Sequence, residues 1–317
     1  MHPVDRFAAL MIKRGPRRLR IFPGGWGDAA GVQSLGDDSL FTEDTPDIVI
    51  AWRRTEVNGD HTVRDGRFET FVDVPPEARI ACIRMIEPKS GTQRLCLLMA
   101  AWNDHGYDTR ERLALELIKH GIGSVMLENP YYGDRRVTGP DEQPVATVAD
   151  FARMGFGAVA EGRALVRYFS GEYAMGVSGY SMGGNISAVV GAAAGFPVAM
   201  APLAASHSPG PVFLDGVISN GIQWDALGGR GQRSRLTEAL GSVSVLRLPA
   251  PEWASAAVLV AGRSDGFIPA SATKSLHQHW DGSELRVLGG GHATLLLRQR
   301  PAFADAIADS FDRVEAL

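Results

Sequence analysis

The chain has little cysteine and no long apolar run. Two cysteines, Cys82 and Cys96, occur among 317 residues, and both lie in apolar stretches. Because disulfide frameworks and zinc sites need more cysteines in regular spacing, we expect reduced core thiols, a cytoplasmic location and no metal site. No stretch reaches the roughly 18 apolar residues of a membrane span. The N-terminus also lacks an apolar run followed by small residues, so no secretory signal is expected.

The chain also lacks a large excess of positive or negative charge. The net charge is −4 at pH 7, which argues against nucleic acid as a partner. With 45% hydrophobic and 21% charged residues, the composition is that of a soluble globular protein with a sizeable core.

One segment near the N-terminus departs from this balance. Apolar residues stand beside a basic cluster formed by Lys13, Arg14, Arg17, Arg18 and Arg20. Such a charge run is either a solvated surface segment or an arm that makes weak contact with an anionic membrane surface. Both interpretations stay open at this point.

Apolar runs alternate with helical patterns from about residue 79 onward. Strands are predicted at 79–86, 94–101, 123–129, 173–179, 197–205, 256–262 and 284–290, and helices at 108–120, 147–169, 184–194, 271–280 and after Pro301. This alternation predicts an α/β fold with a mostly parallel central sheet and helices on both faces. Residues 206–253 interrupt the pattern and are predicted to form a short lid. Residues 1–75 are predicted to be an N-terminal extension packed on a core domain, 76–317.

The stretch Gly179-Tyr180-Ser181-Met182-Gly183 fits G-x-S-x-G and lies between a predicted strand and a predicted helix. In a nucleophile elbow the serine takes a strained conformation at such a turn. The flanking residues approach each other closely, which glycine permits. A tight turn without chemistry is the alternative, but the position favours Ser181 as a nucleophile.

A serine nucleophile needs an oriented base, and the elbow fold supplies the partners in the order Ser, acid, His. Asp265 follows the apolar run AAVLVAG, and His292 follows the predicted strand ELRVLGG. Both positions suit a catalytic triad. Asp225 and Glu252 are rival acids in or beside the insertion.

An oxyanion hole needs two preorganised N–H donors. One is predicted to be the N–H of Met182, and the other the N–H of Trp102, which follows an early strand. Other residues near strand ends or in the insertion are candidates for substrate contact: Asn103, His105, Tyr131, Tyr132, Tyr180 and Trp224. For Tyr131 and Tyr132 a purely structural turn is equally compatible with the sequence.

Several motifs together resemble one family. They are GGWG at 24–27, NDHGY at 103–107, LENPYYG at 127–133, GYSMGG at 179–184, VFLDGVISNGIQW at 212–224 and GGGH at 289–292. They are similar to the α/β-hydrolase domain-containing protein 18 family, from about Ile21 almost to the C-terminus. The resemblance implies an α/β-hydrolase fold and a serine hydrolase with Ser181, Asp265 and His292 as nucleophile, acid and base. It fixes no substrate.

The predicted reaction is hydrolysis of a small-molecule or lipid ester without a cofactor. An acyltransferase, a thioesterase or a peptidase would use the same triad. A non-catalytic binding protein is the alternative from another class, because fold alone does not fix function. The oligomeric state is not predicted.

Overall fold

The computed structural model describes residues 1–14, 19–35, 41, 44–139 and 142–317. Arg17 and Arg18 of the basic cluster, and the side chains of Lys13 and Arg14, lie outside this description. The strands are β1 (Ala51–Asn58), β2 (His61–Glu69), β3 (Ile80–Pro88), β4 (Arg94–Met99), β5 (Ile122–Leu127), β6 (Ala174–Tyr180), β7 (Ala199–Leu203), β8 (Val258–Gly262) and β9 (Glu284–Leu288).

The helices flank these strands. They are α1 (Pro3–Arg14), α2 (Ala29–Ser34), α3 (Asp108–Ile118), α4 (Val148–Phe169), α5 (Met182–Ala192), α6 (Pro209–Asp215), α7 (Arg233–Gly241), α8 (Ala270–His279), α9 (His292–Arg298) and α10 (Arg300–Glu315). None of the helices in the described ranges is long and apolar enough to cross a membrane.

The strands form one sheet in the order β1-β2-β3-β5-β4-β6-β7-β8-β9. All neighbours from β5 to β9 are parallel, whereas β1, β2, β3 and β5 pair antiparallel in succession. The parallel sheet places the carboxyl ends of β6, β8 and β9 along one edge. The residues that follow these strands, which include all three predicted triad members, therefore meet at that edge.

The two faces of β4 show how the core is divided. Leu95, Leu97 and Met99 pack in the cluster that also contains residues of α4, α5 and α8. Cys96 and Leu98 point to the other face, where α3 and α10 cover them. Burial on both faces explains why this strand has a continuous apolar sequence. The predicted arrangement of a mostly parallel sheet between two helical layers is confirmed.

The hairpin β1–β2 continues the central sheet, although it lies within the predicted N-terminal extension. The nine-residue ladder between β2 and β3 runs from the pair His61–Pro88 to the pair Glu69–Ile80. Residues 51–58 and 61–69 are thus strands of the central sheet. The two-residue turn Gly59-Asp60, with φ +64° at the glycine, joins the strands.

Residues 206–253, predicted as a lid, form α6, α7 and short 3₁₀ turns above the carboxyl edge of the sheet. The GGWG motif ties this region to α4. The Gly24 N–H donates to the Ala146 carbonyl at 2.9 Å, and the Val148 N–H donates to the Gly25 carbonyl at 3.0 Å. Trp26 Nε1 donates to the Leu227 carbonyl at 3.0 Å. The motif is therefore a structural joint between the start of α4 and the insertion.

Candidate active site

Ser181 stands at the junction of β6 and α5 in a strained conformation. Its φ and ψ are 58° and −116°, a region that residues other than glycine rarely adopt. Its N–H donates to the Leu203 carbonyl on β7 at 2.9 Å, which holds the turn against the sheet. The sharp strand-to-helix turn predicted for this serine is observed.

The flanking glycines are required by close backbone approach. A Cβ at Gly179 would lie 2.5 Å from the carbonyl carbon of Gly183. A Cβ at Gly183 would lie 2.2 Å from the carbonyl oxygen of Met99. Both contacts are with backbone atoms that cannot swing away, so side chains are excluded at these positions.

Asp265 and His292 are joined by a hydrogen bond. His292 Nδ1 lies 2.7 Å from Asp265 Oδ2, and the Asp265 side chain is 3% exposed. The other carboxylate oxygen, Oδ1, accepts the N–H groups of Phe267 and Ile268 at 2.8 and 2.9 Å. Because one oxygen is fixed by the loop, the other is fixed in its direction toward the imidazole.

The main chain and ring of His292 are also held. The Tyr180 hydroxyl donates to the His292 carbonyl at 2.5 Å. The imidazole stacks on the Phe267 ring, with centroids 4.9 Å apart and planes 22° apart, and the centroid of the Tyr180 ring also lies 4.9 Å from it. Burial raises the pKa of Tyr180 well above its usual value, so its hydroxyl stays a donor.

Ser181 and His292 line one cavity of about 280 Å³. Four of the other residues predicted to form the site also line it: Trp102, Asn103, Tyr180 and Met182. Asn185, Ser206 and Ser208 add polar groups to the lining. The remaining walls are apolar and come from the N-terminal segment, α4, the insertion and the loops at the carboxyl edge of the sheet: Ile12, Leu19, Ala101, Phe151, Pro209, Val212, Phe213, Ile218, Phe267 and Leu296.

Four residues predicted to contact substrate are absent from the lining of this cavity: His105, Tyr131, Tyr132 and Trp224. Tyr131 has φ +71°, and both tyrosines turn into a buried cluster. The Tyr132 hydroxyl accepts the N–H of Asn103 at 3.3 Å, and burial raises its pKa. His105 packs edge-on against Tyr132, and its Nδ1 accepts the Gly133 N–H. Through these contacts, Tyr132 and His105 support the loop that carries Trp102 and Asn103.

The loop after β4 is anchored by a buried ion pair. Arg110 Nε donates to Asp104 at 2.9 Å, with both side chains less than a tenth exposed. The same guanidinium donates to the carbonyls of Gly106, Leu98 and Leu127 at 2.6, 3.0 and 2.5 Å. The loop is therefore tied to the ends of both β4 and β5, which fixes its backbone beside the cavity.

Asp5 is a residue of the site region that no sequence signal indicated. Its carboxylate is fully buried and accepts the N–H groups of Gly266 and His292.

The rival acids Asp225 and Glu252 are exposed. In the described part of the chain, no group of three or more His, Cys, Asp or Glu side chains is arranged to hold a metal ion.

The fold is similar to those of solved esterases. An acetyl xylan esterase from Paenibacillus sp. R4 has a TM-score of 0.60 at 13% identity, covering 90% of this chain and 97% of that one. Acetyl xylan esterase 1 from Thermoanaerobacterium sp. JW/SL YS485 has a TM-score of 0.58 at 16% identity, over 90% and 96%. A cold-adapted esterase from an Arctic intertidal metagenomic library has a TM-score of 0.56 at 17% identity, over 82% and 99%. At such identities the likeness establishes the α/β-hydrolase fold, as predicted.

A family model described as "alpha/beta hydrolase domain containing 18" matches residues 19–240 and 230–313. The predicted resemblance is thereby confirmed over most of the chain. The match begins after α1, so Pro3–Arg14 and the Asp5 carboxylate lie outside it.

Proposed function

Because the chain belongs to the alpha/beta hydrolase domain containing 18 family, we propose that it is a serine hydrolase that cleaves carboxylic esters through an acyl-enzyme. The observation that carries this proposal is the combination of a strained serine with an oriented histidine. Ser181, on its elbow, and His292, bonded to Asp265, open onto the same cavity. An activated nucleophile requires this combination.

In the proposed reaction, Ser181 Oγ attacks the ester carbonyl carbon while His292 Nε2 takes the hydroxyl proton. The tetrahedral intermediate collapses, the bond to the alcohol breaks, and His292 returns the proton to the leaving oxygen. Water then attacks the acyl-enzyme with His292 again as base, which releases the acid and regenerates Ser181. Asp265 keeps the Nδ1 proton in place, so that Nε2 is the nitrogen free to accept.

The developing oxyanion is proposed to bind two backbone N–H groups. Met182 is the first residue of α5, where N–H groups have no partner within the helix. On the facing loop, the Asn103 N–H is occupied by the Tyr132 hydroxyl. This supports the neighbouring Trp102 N–H as the second donor, on a loop that Arg110 holds rigid.

The proposed substrate is an ester with an apolar acyl group, such as a lipid ester. A second, smaller cavity of about 50 Å³ shares Phe151, Met182, Asn185 and Pro209 with the first. Beyond these shared residues its walls are apolar and include Ile186 and Val189 of α5. An acyl chain attached at Ser181 could bury its apolar surface against the apolar walls of both cavities, which the hydrophobic effect favours.

The proposal is tested by labelling with a fluorophosphonate probe. The wild type should be labelled, while Ser181→Ala and His292→Ala should not, because one lacks the nucleophile and the other its base. An exposed control, Asp225→Asn, should be labelled like the wild type. A panel of p-nitrophenyl esters of increasing acyl length then defines the substrate class. A folded wild type that neither labels nor hydrolyses any ester would refute the proposed function.

A further inference from the structure

The N-terminal helix reaches the two catalytic loops through one carboxylate. Asp5 on α1 is fully buried. Its Oδ2 accepts the N–H of Gly266 at 2.9 Å and the N–H of His292 at 2.8 Å, and its Oδ1 lies 3.4 Å from the Ala293 N–H. The His2 N–H, near the start of the chain, donates to the Ser264 carbonyl at 2.9 Å. The N-terminal segment is therefore bonded on both sides of the acid and to the base itself.

A single oxygen atom of Asp5 thus bridges the residue after Asp265 and the residue His292. These two loops follow different strands, β8 and β9. Pairing within the sheet fixes the distance between the two strands, but it does not fix the distance between the loops that follow them. The 2.7 Å contact between Asp265 and His292 depends on the loops beyond. Oδ2 fixes the distance between those loops at the point where the two catalytic side chains leave the backbone.

The fit around this carboxylate is close. A Cβ at Gly291 would lie 2.5 Å from Asp5 Oδ2 and 2.3 Å from the His2 Cβ. Only glycine at this position lets α1 approach the loop. The partners found for the carboxylate are backbone N–H groups, which would lose their acceptor in a buried place if Asp5 were removed.

We propose that Asp5 is a positioning residue for the catalytic pair, acting from a segment outside the family match. The inference rests on the proposed function, because it assigns Asp5 a role in aligning Asp265 with His292. It acts through the backbone and touches no substrate. Misplacement of a catalytic group by about 1 Å can cost about 10²-fold in rate. We therefore expect Asp5→Ala to lower kcat about 10²-fold while KM stays close to the wild-type value, since the cavity walls are retained.

The two variants Asp5→Ala and Asp5→Asn separate positioning from packing. In Asp5→Asn the carboxamide oxygen can occupy the Oδ2 place and accept both short N–H bonds, while the carboxamide nitrogen faces only the distant Ala293 N–H. Asp5→Asn should therefore recover most of the kcat lost in Asp5→Ala. The adjacent exposed residue provides the control, Arg6→Gln, which should match the wild type.

A signal independent of turnover completes the test. The low-field proton resonance of a histidine Nδ1–H bonded to a carboxylate should be present in the wild type, Arg6→Gln and Asp5→Asn, and weakened in Asp5→Ala. Folded Asp5→Ala with wild-type kcat, or a low kcat with an unchanged resonance, would overturn the inference. If the wild type shows the resonance but no hydrolysis, the proposed function fails while the positioning role is still measured by the resonance.

A separate observation concerns the outer side of α1. Val4, Phe7 and Met11, at helical spacing i, i+3 and i+7, are 41%, 63% and 41% exposed. Leu10 beside them is 49% exposed, whereas Ile12 lines the catalytic cavity. The one acid of this helix, Asp5, is turned inward. The solvent side of α1 is thus mostly apolar, with Arg6 as an exposed cation, and carries no negative charge.

We infer that this side of α1 docks on an anionic lipid surface. The sequence places Lys13, Arg14, Arg17, Arg18 and Arg20 directly after the apolar residues. Apolar side chains next to clustered basic residues match the interfacial region of a membrane with anionic head groups. The same helix borders the cavity, so docking would bring the cavity close to a lipid ester.

Binding is tested by cosedimentation with vesicles of phosphatidylcholine alone or of equal parts phosphatidylcholine and phosphatidylglycerol. The wild type should bind the mixed vesicles, less so at high salt, and not the neutral ones. The double substitution of Phe7 and Met11 by serine should abolish binding. Val57→Ser, an exposed apolar position on the far edge strand β1, should not. Absence of wild-type binding, or equal binding by the double variant, would overturn the inference.

Discussion

Replacing Asp265 by asparagine tests the proposed mechanism most directly, because the surrounding hydrogen bonds determine how the new side chain must lie. Oδ1 accepts two loop N–H groups at 2.8 and 2.9 Å, and Oδ2 faces His292 Nδ1 at 2.7 Å. The amide nitrogen of asparagine cannot accept. Placing it at the Oδ1 position would leave two N–H groups unsatisfied, each costing about 1–3 kcal/mol. The amide oxygen therefore takes the Oδ1 place, and the NH₂ group faces His292.

An NH₂ group at this point forces His292 into the wrong tautomer. Nδ1 must then accept, so the proton moves to Nε2, and Nε2 can no longer take the proton of Ser181. In the serine-protease template this change lowers kcat about 10⁴-fold. That factor corresponds to about 5 kcal/mol in the activation free energy. The free energy of unfolding should change far less, because both loop hydrogen bonds to Phe267 and Ile268 are retained.

The assay compares kcat for the best p-nitrophenyl ester and the thermal unfolding midpoint for the wild type, Asp265→Asn and Asp225→Asn. Asp225 is an exposed acid of the insertion, so its substitution controls for the loss of one negative charge. We expect a loss of about 10⁴-fold for Asp265→Asn alone, with a nearly unchanged midpoint. An Asp265→Asn enzyme within about tenfold of the wild type would show that Asp265 does not set the tautomer.

Two further predictions concern stability. Gly183→Ala places a methyl group 2.2 Å from a carbonyl oxygen of β4 and should destabilise the protein by about 3 kcal/mol or more, whereas Gly155→Ala, in the open interior of α4, should stabilise it by about 0.5–1 kcal/mol. Denaturant unfolding measures both, and equal effects would contradict the steric argument. Glu161→Gln removes the charge facing Arg135 in a pair with both side chains 0% exposed and should cost about 3–5 kcal/mol. Asp215→Ala breaks an exposed pair and should change stability by less than about 1 kcal/mol; a similar loss in both would refute the distinction.

The parallel part of the sheet could be predicted because its signals are local. A strand buried on both faces needs an apolar side chain at nearly every position, as in Arg94–Met99, and the chain returns through a helix each time. The elbow at Ser181 could be predicted for the same reason, since its glycines stand within two residues of it. Because β8 and β9 are neighbouring parallel strands, Asp265 and His292, which follow them, lie at the same edge of the sheet.

The hairpin β1–β2 was not predicted, because its exposed edge position allows charged residues to replace the apolar alternation. The sequence Asn58-Gly59, typical of tight hairpins, was the signal available. The substrate contacts predicted for Tyr131 and Tyr132 rested on their place after a strand. The structure gives these side chains a different direction, because a φ of +71° at Tyr131 turns the chain into the buried cluster. Position along a chain does not determine which way a side chain points.

The contacts of Asp5 could not be predicted from local sequence patterns, because its partners Gly266 and His292 lie 261 and 287 residues away. Sheet geometry brings strand ends together, but a hydrogen bond of 2.7 Å between two loop residues needs a finer constraint than strand pairing gives. Here that constraint comes from two sides. Tyr180, the residue before Ser181, holds the His292 carbonyl, and Asp5 holds its N–H. His292 is thus fixed to the strand that precedes Ser181, to the loop of Asp265 and to the N-terminal helix. A helix outside the family match therefore holds one residue of the proposed catalytic pair in place.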